Sequence, residues 1–117
     1  MGRLTTHVLD TTRGRAAGAV AIELQRYEGE AWRTVARAVT NADGRCDAPL
    51  LSPESFAAGV YQLLFHIGDY FRETAGSAAA SPFLDIVPIR FTLAADGGHY
   101  HVPLVVTPWS YSTYRGS

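Results

Sequence analysis

The stretch "AVAIELQRY" at residues 19–27, followed after "EGE" by "AWRTVARAV" at residues 31–39, decides the fold class. In the first segment Val20, Ile22 and Leu24 share one face, and Glu23 and Gln25 lie on the opposite face. Alternation with a period of two is typical of a strand that buries one face. The glycine in "EGE" turns the chain, so the two segments predict consecutive β-strands.

Strand-like segments continue on both sides of this pair. In "LTTHVLD" (residues 4–10), Leu4, Thr6 and Val8 share one face, and the residues between them, which include His7, share the other. Further strand candidates are "RCDAPL" (45–50, short and ended by a proline), "VYQLLFHI" (60–67), "LDIVPIRFTLA" (84–94), "YHVPLVVT" (100–107) and "YSTYR" (111–115).

Turn signals separate these segments at short, regular intervals, among them the "DG" pair at residues 43–44. The one helix candidate is "GDYFRETAG" at 68–76, where we expect Asp69 as the N-cap and Gly76 just past the end. Seven or eight short strands with one helix predict an all-β fold, a two-sheet antiparallel β-sandwich with Greek-key-like connections. We expect residues 1–117 to form a single domain.

Composition excludes several classes of function. The chain has 117 residues, of which 47% are hydrophobic and 18% charged, and a net charge of −1, so we expect no nucleic-acid or anionic-membrane partner. No apolar run approaches the ~18 residues of a membrane span, and the first ten residues lack the apolar segment of a signal peptide. The single cysteine, Cys46, cannot form an intramolecular disulfide, so we expect a cytoplasmic protein.

The four histidines are the first candidates for acid–base chemistry, because imidazole titrates near neutral pH. His66 lies at the end of an apolar strand and is interpreted as structural, and His99 lies beside a glycine turn and is interpreted as solvated. His7 and His101 lie within strands, on faces that need not belong to the core. The pattern leaves two interpretations open for this pair, scattered surface residues or a site.

No motif in the sequence indicates a metal site or a covalent nucleophile. The segment "HYH" places two imidazoles on one side of a strand, but a third metal ligand is not evident. There is no G-x-S-x-G motif, Cys46 has no neighbouring histidine, and no glycine-rich segment has the pattern of a phosphate-binding loop. We therefore expect neither a metal nor a cofactor.

Five segments in fixed order carry a family resemblance over roughly 110 residues. Together they resemble the 5-hydroxyisourate hydrolases, the transthyretin-like enzymes of urate degradation, and the terminal "YRGS" is the most specific of them. The segments are "LTTHVLDTTRGRAAGAV", "TNADGRC", "GVYQLLFHIGDYF", "PFLDIVPIRF" and "HYHVPLVVTPWSYSTYRGS".

The resemblance implies a transthyretin (prealbumin)-like β-sandwich that assembles as a homotetramer, with active sites in a channel where two dimers meet. It also implies the reaction, hydrolysis of 5-hydroxyisourate to 2-oxo-4-hydroxy-4-carboxy-5-ureidoimidazoline, without a cofactor. The family's motif histidines and arginine match His7, Arg45 and His101 here, which the resemblance makes catalytic. His7 and Arg45 would also bind the substrate.

The terminal tetrapeptide is placed at the same site by the resemblance. Ser117 is expected among the catalytic residues, and Tyr114, Arg115 and Gly116 among the substrate-binding ones. Tyr114 and Ser117 would supply hydrogen bonds, Arg115 would bind substrate or anchor the terminus, and Gly116 would let the backbone turn.

The hypothesis from these residues is attack by an activated water on a cyclic amide. His7 and His101 would hold and deprotonate the water, but which of them is the base stays open. Arg45 would bind substrate carbonyl oxygens through its planar fork and keep both imidazoles neutral at pH 7.

Two other classes of protein could share the predicted strands. A transthyretin-type carrier would bind small ligands in the same channel without catalysis, but transthyretins carry lysine, glutamate and threonine at the positions of His7, Arg45 and His101, and lack "YRGS". An immunoglobulin- or fibronectin-like adhesion domain would explain the strands but not the in-strand histidines or the terminus.

Overall fold

The computed structural model describes residues 2–74 and 82–116. Two four-stranded sheets pack face to face, with strand orders β2-β1-β7-β8 and β4-β3-β5-β6. This is the two-sheet sandwich with one short helix that the sequence predicts. The strands are β1 (Arg3–Asp10), β2 (Arg15–Ala16), β3 (Ala21–Glu28), β4 (Ala31–Val39), β5 (Gly59–His66), β6 (Ile86–Leu93), β7 (His99–Val106) and β8 (Tyr111–Thr113), with α1 (Ile67–Thr74) after β5.

The core lies between the sheets and is built from alternate residues of their strands. In β1 the buried positions are Leu4, Thr6, Val8 and Asp10, which confirms the predicted alternation and leaves His7 on the outer face. Removing such side chains from water stabilises the fold by roughly 1.5–3 kcal/mol for each large aliphatic or aromatic group. The largest side chains at or near zero exposure include Tyr61, Phe65, Phe71, Leu4, Ile22, Leu24, Leu63, Leu93 and Leu104.

One strand pair departs from the predicted antiparallel arrangement. β1 and β7 run parallel, with Thr5 opposite His101 and His7 opposite Pro103. The other sheet pairings among the named strands are antiparallel. β1 and β7 are separated by most of the chain, so no hairpin constrains their relative direction. The parallel pair brings the two predicted site histidines onto one outer surface.

Three local predictions were wrong in their boundaries. Residues 45–50 do not form a strand, because Arg45 makes one isolated bridge to His7 and the next bridge, to Leu4, comes from Leu51. β8 ends at Thr113, two residues earlier than predicted. A short strand, β2, forms where the sequence predicted only a break.

The helix begins earlier than the sequence predicts. It starts at Ile67, so Asp69 lies in its first turn instead of capping it. Ile67 is fully buried, and the next residue, Gly68, donates its N–H to the backbone oxygen of Asp85 at 2.8 Å, so tertiary contacts set the start of the helix. Gly76, the predicted end, lies outside the described residues. Within residues 2–74 and 82–116, no helix is long and apolar enough to cross a membrane.

Candidate active site

A cavity of about 310 Å³ opens on the outer face of the β2-β1-β7-β8 sheet, over the parallel pair β1 and β7. Its volume falls at the lower end of the range for small-molecule sites, which fits a compact ligand. It collects residues from both strands and from the segment after β4. The lining residues are Thr5, Thr6, Arg45, Cys46, Ala48, His99 and His101.

The turn at residues 41–45 connects His7 to Arg45. The His7 ring donates Nε2–H to the backbone oxygen of Asp43 at 2.9 Å, since a carbonyl oxygen can only accept. The side-chain oxygen of Asn41 accepts from the backbone N–H of Asp43 at 2.9 Å and from that of Arg45 at 3.2 Å. Gly44 adopts a φ of 76° between them, which is the left-handed conformation that the predicted "DG" turn requires. The turn therefore fixes both the His7 ring and the start of the Arg45 side chain.

Strand pairing places Thr5 between two imidazoles. The Thr5 hydroxyl oxygen lies 2.8 Å from His101 Nδ1 and 2.8 Å from His99 Nε2. The rings of His99 and His101 lie on the same side of β7, with centroids 6.3 Å apart. His101 is half-buried, and His99 is exposed to solvent at its outer edge. Three side chains thus form one hydrogen-bonded chain from the cavity to the surface.

The pKa values of both predicted site histidines are lowered. Partial burial is the largest cause for His7, followed by the positive charge of Arg45, against which the backbone and charge of Asp43 act. Partial burial also leads for His101, followed by the charges of Arg45, His99 and His7. Both effects disfavour the imidazolium form, so the two rings are neutral at pH 7 and can accept a proton.

The end of the chain returns to His101 through its backbone. The N–H of Gly116 donates to the His101 carbonyl oxygen at 2.7 Å, as an isolated bridge beside β7. A Cβ at position 116 would lie 2.8 Å from Cδ2 of the His101 ring, so a larger residue there would have to displace that ring. Ser117, the fourth predicted catalytic residue, lies outside the described residues.

Tyr114 and Arg115 lie elsewhere within a single chain. Arg115 donates to the Gly97 oxygen at 3.0 Å and stacks on the ring of Tyr100, 4.0 Å from its centroid. Tyr114 is 61% exposed. Both line another, mostly apolar cavity of about 300 Å³, whose other lining residues come from β6, β7 and the end of β8. Of the seven predicted site residues, one chain brings His7, Arg45, His101 and Gly116 together, and places these two apart.

Two residues of this site were not predicted from the sequence. His99 is exposed, as predicted, but its Nε2 also lies 2.8 Å from the Thr5 hydroxyl oxygen, and the residue lines the cavity. Thr5 had no predicted role. The signal for both was the period of two, since Thr5 shares the outer face of β1 with His7 and His99 that of β7 with His101. Among residues 2–74 and 82–116 no group of three or more His, Cys, Asp or Glu side chains is arranged to hold a metal ion.

The fold and the cavity define a class of protein, a β-sandwich with a small-molecule site built from histidine and arginine on the outer face of one sheet. Residues 4–116 match the model of the HIUase/Transthyretin family, and the chain belongs to this family.

Relatives and solved structures agree with this assignment. A 5-hydroxyisourate hydrolase from Deinococcus radiodurans is 57% identical over 114 residues, which cover 97% of this chain and 95% of the relative. The structure of Klebsiella pneumoniae 5-hydroxyisourate hydrolase superimposes with a TM-score of 0.82 at 36% identity and covers 100% of both chains. Sea bream transthyretin in complex with thyroxine gives a TM-score of 0.88 at 28% identity, covering 97% of this chain and 94% of that one. The fold is therefore transthyretin-like.

Proposed function

We propose that this protein hydrolyses 5-hydroxyisourate to 2-oxo-4-hydroxy-4-carboxy-5-ureidoimidazoline, a step of urate degradation. The observation that carries the proposal is the pair of histidines, each with its pKa lowered by burial and by Arg45. The high identity to relatives named 5-hydroxyisourate hydrolase supports the same activity.

Hydrolysis of a cyclic amide requires a base, a stabiliser for the developing oxyanion and a proton for the departing nitrogen. His7 and His101 are neutral at pH 7, so between them they can hold a water molecule and take a proton from it. The water oxygen bonds to the ring carbonyl carbon, the C–N bond breaks, and the proton passes to the ring nitrogen. No metal, cofactor or covalent intermediate takes part in this sequence.

Arg45 has the charge and the geometry for the second requirement. Its planar guanidinium can donate two parallel hydrogen bonds to oxygens of a flat substrate. The positive charge stabilises a developing oxyanion, and it also lowers the pKa values of both histidines. One side chain thus binds substrate and keeps the base unprotonated.

We further propose that the protein is a cytoplasmic homotetramer with sites where two dimers meet, and that Tyr114, Arg115, Gly116 and Ser117 contribute to those sites. Trp109, in the turn between β7 and β8, and Tyr111, in β8, have exposed aromatic rings at one edge of the sheet that carries the cavity. Large exposed apolar groups are typical of surfaces that become covered. The single free thiol, Cys46, suits a reducing compartment.

Carriage of a small ligand without catalysis is the alternative, since sea bream transthyretin with thyroxine has the same fold. The polar lining with Arg45, His99 and His101 favours the enzyme, because a carrier has no need of tuned imidazoles. Identity also separates the two, at 57% to the Deinococcus hydrolase against 28% to the transthyretin.

The activity is tested by generating 5-hydroxyisourate in the cuvette from urate and uricase, and following the decay of its ultraviolet absorbance. We expect this protein to accelerate the decay, and we expect His7→Asn and His101→Asn each to lower kcat by roughly 10²–10⁴-fold, the usual contribution of general acid–base catalysis.

His66→Asn is the matched control, because His66 ends β5 in the other sheet and does not line the cavity. It should leave turnover unchanged. A decay no faster than the spontaneous rate with the unsubstituted protein would refute the enzyme, and competitive binding of thyroxine without turnover would favour the carrier.

A further inference from the structure

The Thr5 hydroxyl has one hydrogen but two imidazole nitrogens within 2.8 Å of its oxygen. It can donate to only one of them, so the other nitrogen must carry a hydrogen and donate to Thr5. With His101 neutral and both hydrogen bonds made, Nδ1 of His101 either donates to the Thr5 oxygen or accepts from the Thr5 hydroxyl. If Nδ1–H donates, the Thr5 hydrogen is left available for His99 Nε2; if Nδ1 accepts, His99 Nε2–H must donate to Thr5. The two arrangements give His101 opposite tautomers.

The charge of Arg45 selects between these arrangements. With Nδ1 engaged by Thr5, the remaining nitrogen of the His101 ring is Nε2, and His101 and Arg45 line the same cavity. A neutral imidazole beside a cation is more stable with a lone pair than with an N–H on the free nitrogen. The favoured chain therefore runs from His101 Nδ1–H to Thr5 and from the Thr5 hydroxyl to His99 Nε2.

We propose that Thr5 and His99 are positioning residues that hold His101 in its Nδ1–H tautomer, so that the Nε2 lone pair faces the cavity as the general base. Neither residue touches the reacting atoms. The inference rests on the proposed function for its catalytic consequence, and it names the base that the sequence left open.

The rest of the site is consistent with this assignment. His7 donates Nε2–H to the backbone oxygen of Asp43, so its tautomer depends on a fixed carbonyl and on no second titratable group. His101 lines the cavity and His7 does not. His101 therefore acts as the base, and His7 orients the water from the edge of the site.

One nitrogen, Nε2 of His101, both takes up and returns the proton. His101 Nε2 takes a proton from water as the water oxygen bonds to the carbonyl carbon. The same proton passes to the ring nitrogen as the C–N bond breaks. Nδ1–H stays hydrogen-bonded to Thr5 throughout, so no proton needs to move between the three side chains. His99 Nε2 only accepts the hydrogen bond from the Thr5 hydroxyl.

The test compares Thr5→Val with Thr5→Ser. Valine keeps the shape and the strand propensity of threonine but has no hydroxyl, whereas serine keeps the hydroxyl. Nitrogen-15 NMR of the unsubstituted protein without substrate should show Nδ1 of His101 protonated and Nε2 not. Thr5→Val should lose this preference and lower kcat roughly 10- to 100-fold with little change in KM, less than the ~10²–10⁴-fold of losing the base itself. Thr5→Ser should restore both.

A second pair of variants tests His99 in the same way. His99→Gln retains an acceptor oxygen for the Thr5 hydroxyl, and His99→Leu does not. We expect the leucine variant to shift the His101 tautomer and lower kcat, and the glutamine variant to approach the unsubstituted protein. Circular dichroism establishes that each variant is folded.

Nε2–H on His101 in the unsubstituted protein would overturn the inference. So would a nitrogen-15 spectrum of Thr5→Val that shows an unchanged His101 tautomer, whether or not kcat is lower. Failure of the proposed function looks different. In that case the expected tautomer and its shifts would be seen in a protein that does not hydrolyse 5-hydroxyisourate, and the hydrogen-bonded chain would stand without its catalytic role.

Discussion

At the scale of single residues, Arg45 has the widest influence on the site. Its charge lowers the pKa values of both His7 and His101, in each case as the second cause after partial burial. A base with a lowered pKa stays unprotonated further into the acid range. Activity should therefore rise with pH through that lowered pKa and be lost as the pH falls below it.

Replacing Arg45 tests this electrostatic role separately from substrate binding. Arg45→Gln removes the charge but keeps a hydrogen-bonding side chain, so the acid limb of kcat/KM should move to higher pH, toward the ~6.5 of an unperturbed histidine. The maximal rate should also fall, because the oxyanion loses its cationic partner. The pH profile from the coupled decay assay measures both.

Arg37→Gln provides the matched control, because Arg37 is an exposed arginine of β4 paired with Glu23 on the other sheet. Its acid limb should coincide with that of the unsubstituted protein. An unmoved limb in Arg45→Gln would show that the Arg45 charge does not set the histidine pKa values.

At the scale of elements, the turn between β4 and the cavity decides where two site residues lie. Its backbone is fixed by the Asn41 side chain and by a hydrogen bond from Val8 N–H to the Gly44 oxygen at 2.8 Å. Through this turn, β1 and Arg45 are held in register, and His7 and Arg45 become bridge partners. The turn is thus a structural part of the candidate active site.

Gly44→Ala should disrupt this element. A Cβ at Gly44 would clash with the backbone oxygen of Val8, and the φ of 76° costs an alanine roughly 1–2 kcal/mol in addition. We expect a free energy of unfolding lower by more than that strain alone, together with lower turnover, because the Asp43 carbonyl and Arg45 must shift. Urea unfolding and the coupled assay measure the two effects.

Gly29→Ala isolates the backbone strain from the clash. Gly29 has a similar φ of 57°, and a Cβ there would contact nothing within 4 Å. It lies in the turn between β3 and β4, so only the strain should appear and activity should be retained. Equal losses of stability in the two variants would show that the Val8 contact relaxes without cost.

At the scale of the whole molecule, a buried carboxylate connects the helix to the sheet that carries the site. Asp10, at the end of β1, is fully buried and accepts from the Tyr70 hydroxyl of α1 at 2.8 Å. Its other oxygen accepts the backbone N–H of Thr12 at 3.0 Å. Burial, followed by the hydrogen bond to Asp10, raises the pKa of Tyr70 to about 12. A charged group in the interior is stable only while such partners are present.

Tyr70→Phe should destabilise the protein by about 1–3 kcal/mol at pH 7, because it leaves a buried carboxylate oxygen without its donor. In the unsubstituted protein, folded Tyr70 keeps its proton up to about pH 12, whereas the unfolded tyrosine loses it near 10. The stabilisation from this group is therefore complete below pH 10 and is lost as the pH rises from 10 to 12. Thermal unfolding across this range measures it.

Tyr61→Phe is the matched control, since the Tyr61 hydroxyl donates to the neutral backbone oxygen of Ala57 at 2.8 Å. Its loss should cost less, roughly 0.5–1.5 kcal/mol. A Tyr70→Phe variant that is no less stable than Tyr61→Phe would contradict the role of the Asp10 contact. The role would also be contradicted if Tyr70→Phe lost as much stability between pH 10 and 12 as the unsubstituted protein does.

Much of the fold and part of the site could be predicted from local patterns. The period of two placed Leu4 and Val8 in the core and His7 on the outer face, and the "DG" pair predicted the turn before Arg45. Local patterns failed where a neighbour distant in sequence decides the outcome. The helix start at Ile67 depends on packing, and the contact of His99 with Thr5 depends on a strand 94 residues away.

The sequence by itself determined most of the strands, their buried faces, the turn before Arg45 and the family, because side-chain periodicity, turn chemistry and motif order are local properties of the chain. Only the tertiary structure decided that β1 and β7 run parallel with Thr5 opposite His101. That register follows from the packing of two complete sheets, and no segment encodes it alone. Because of it, a hydroxyl and an imidazole 96 residues apart become hydrogen-bond partners, and this contact is the one from which we infer the tautomer of His101.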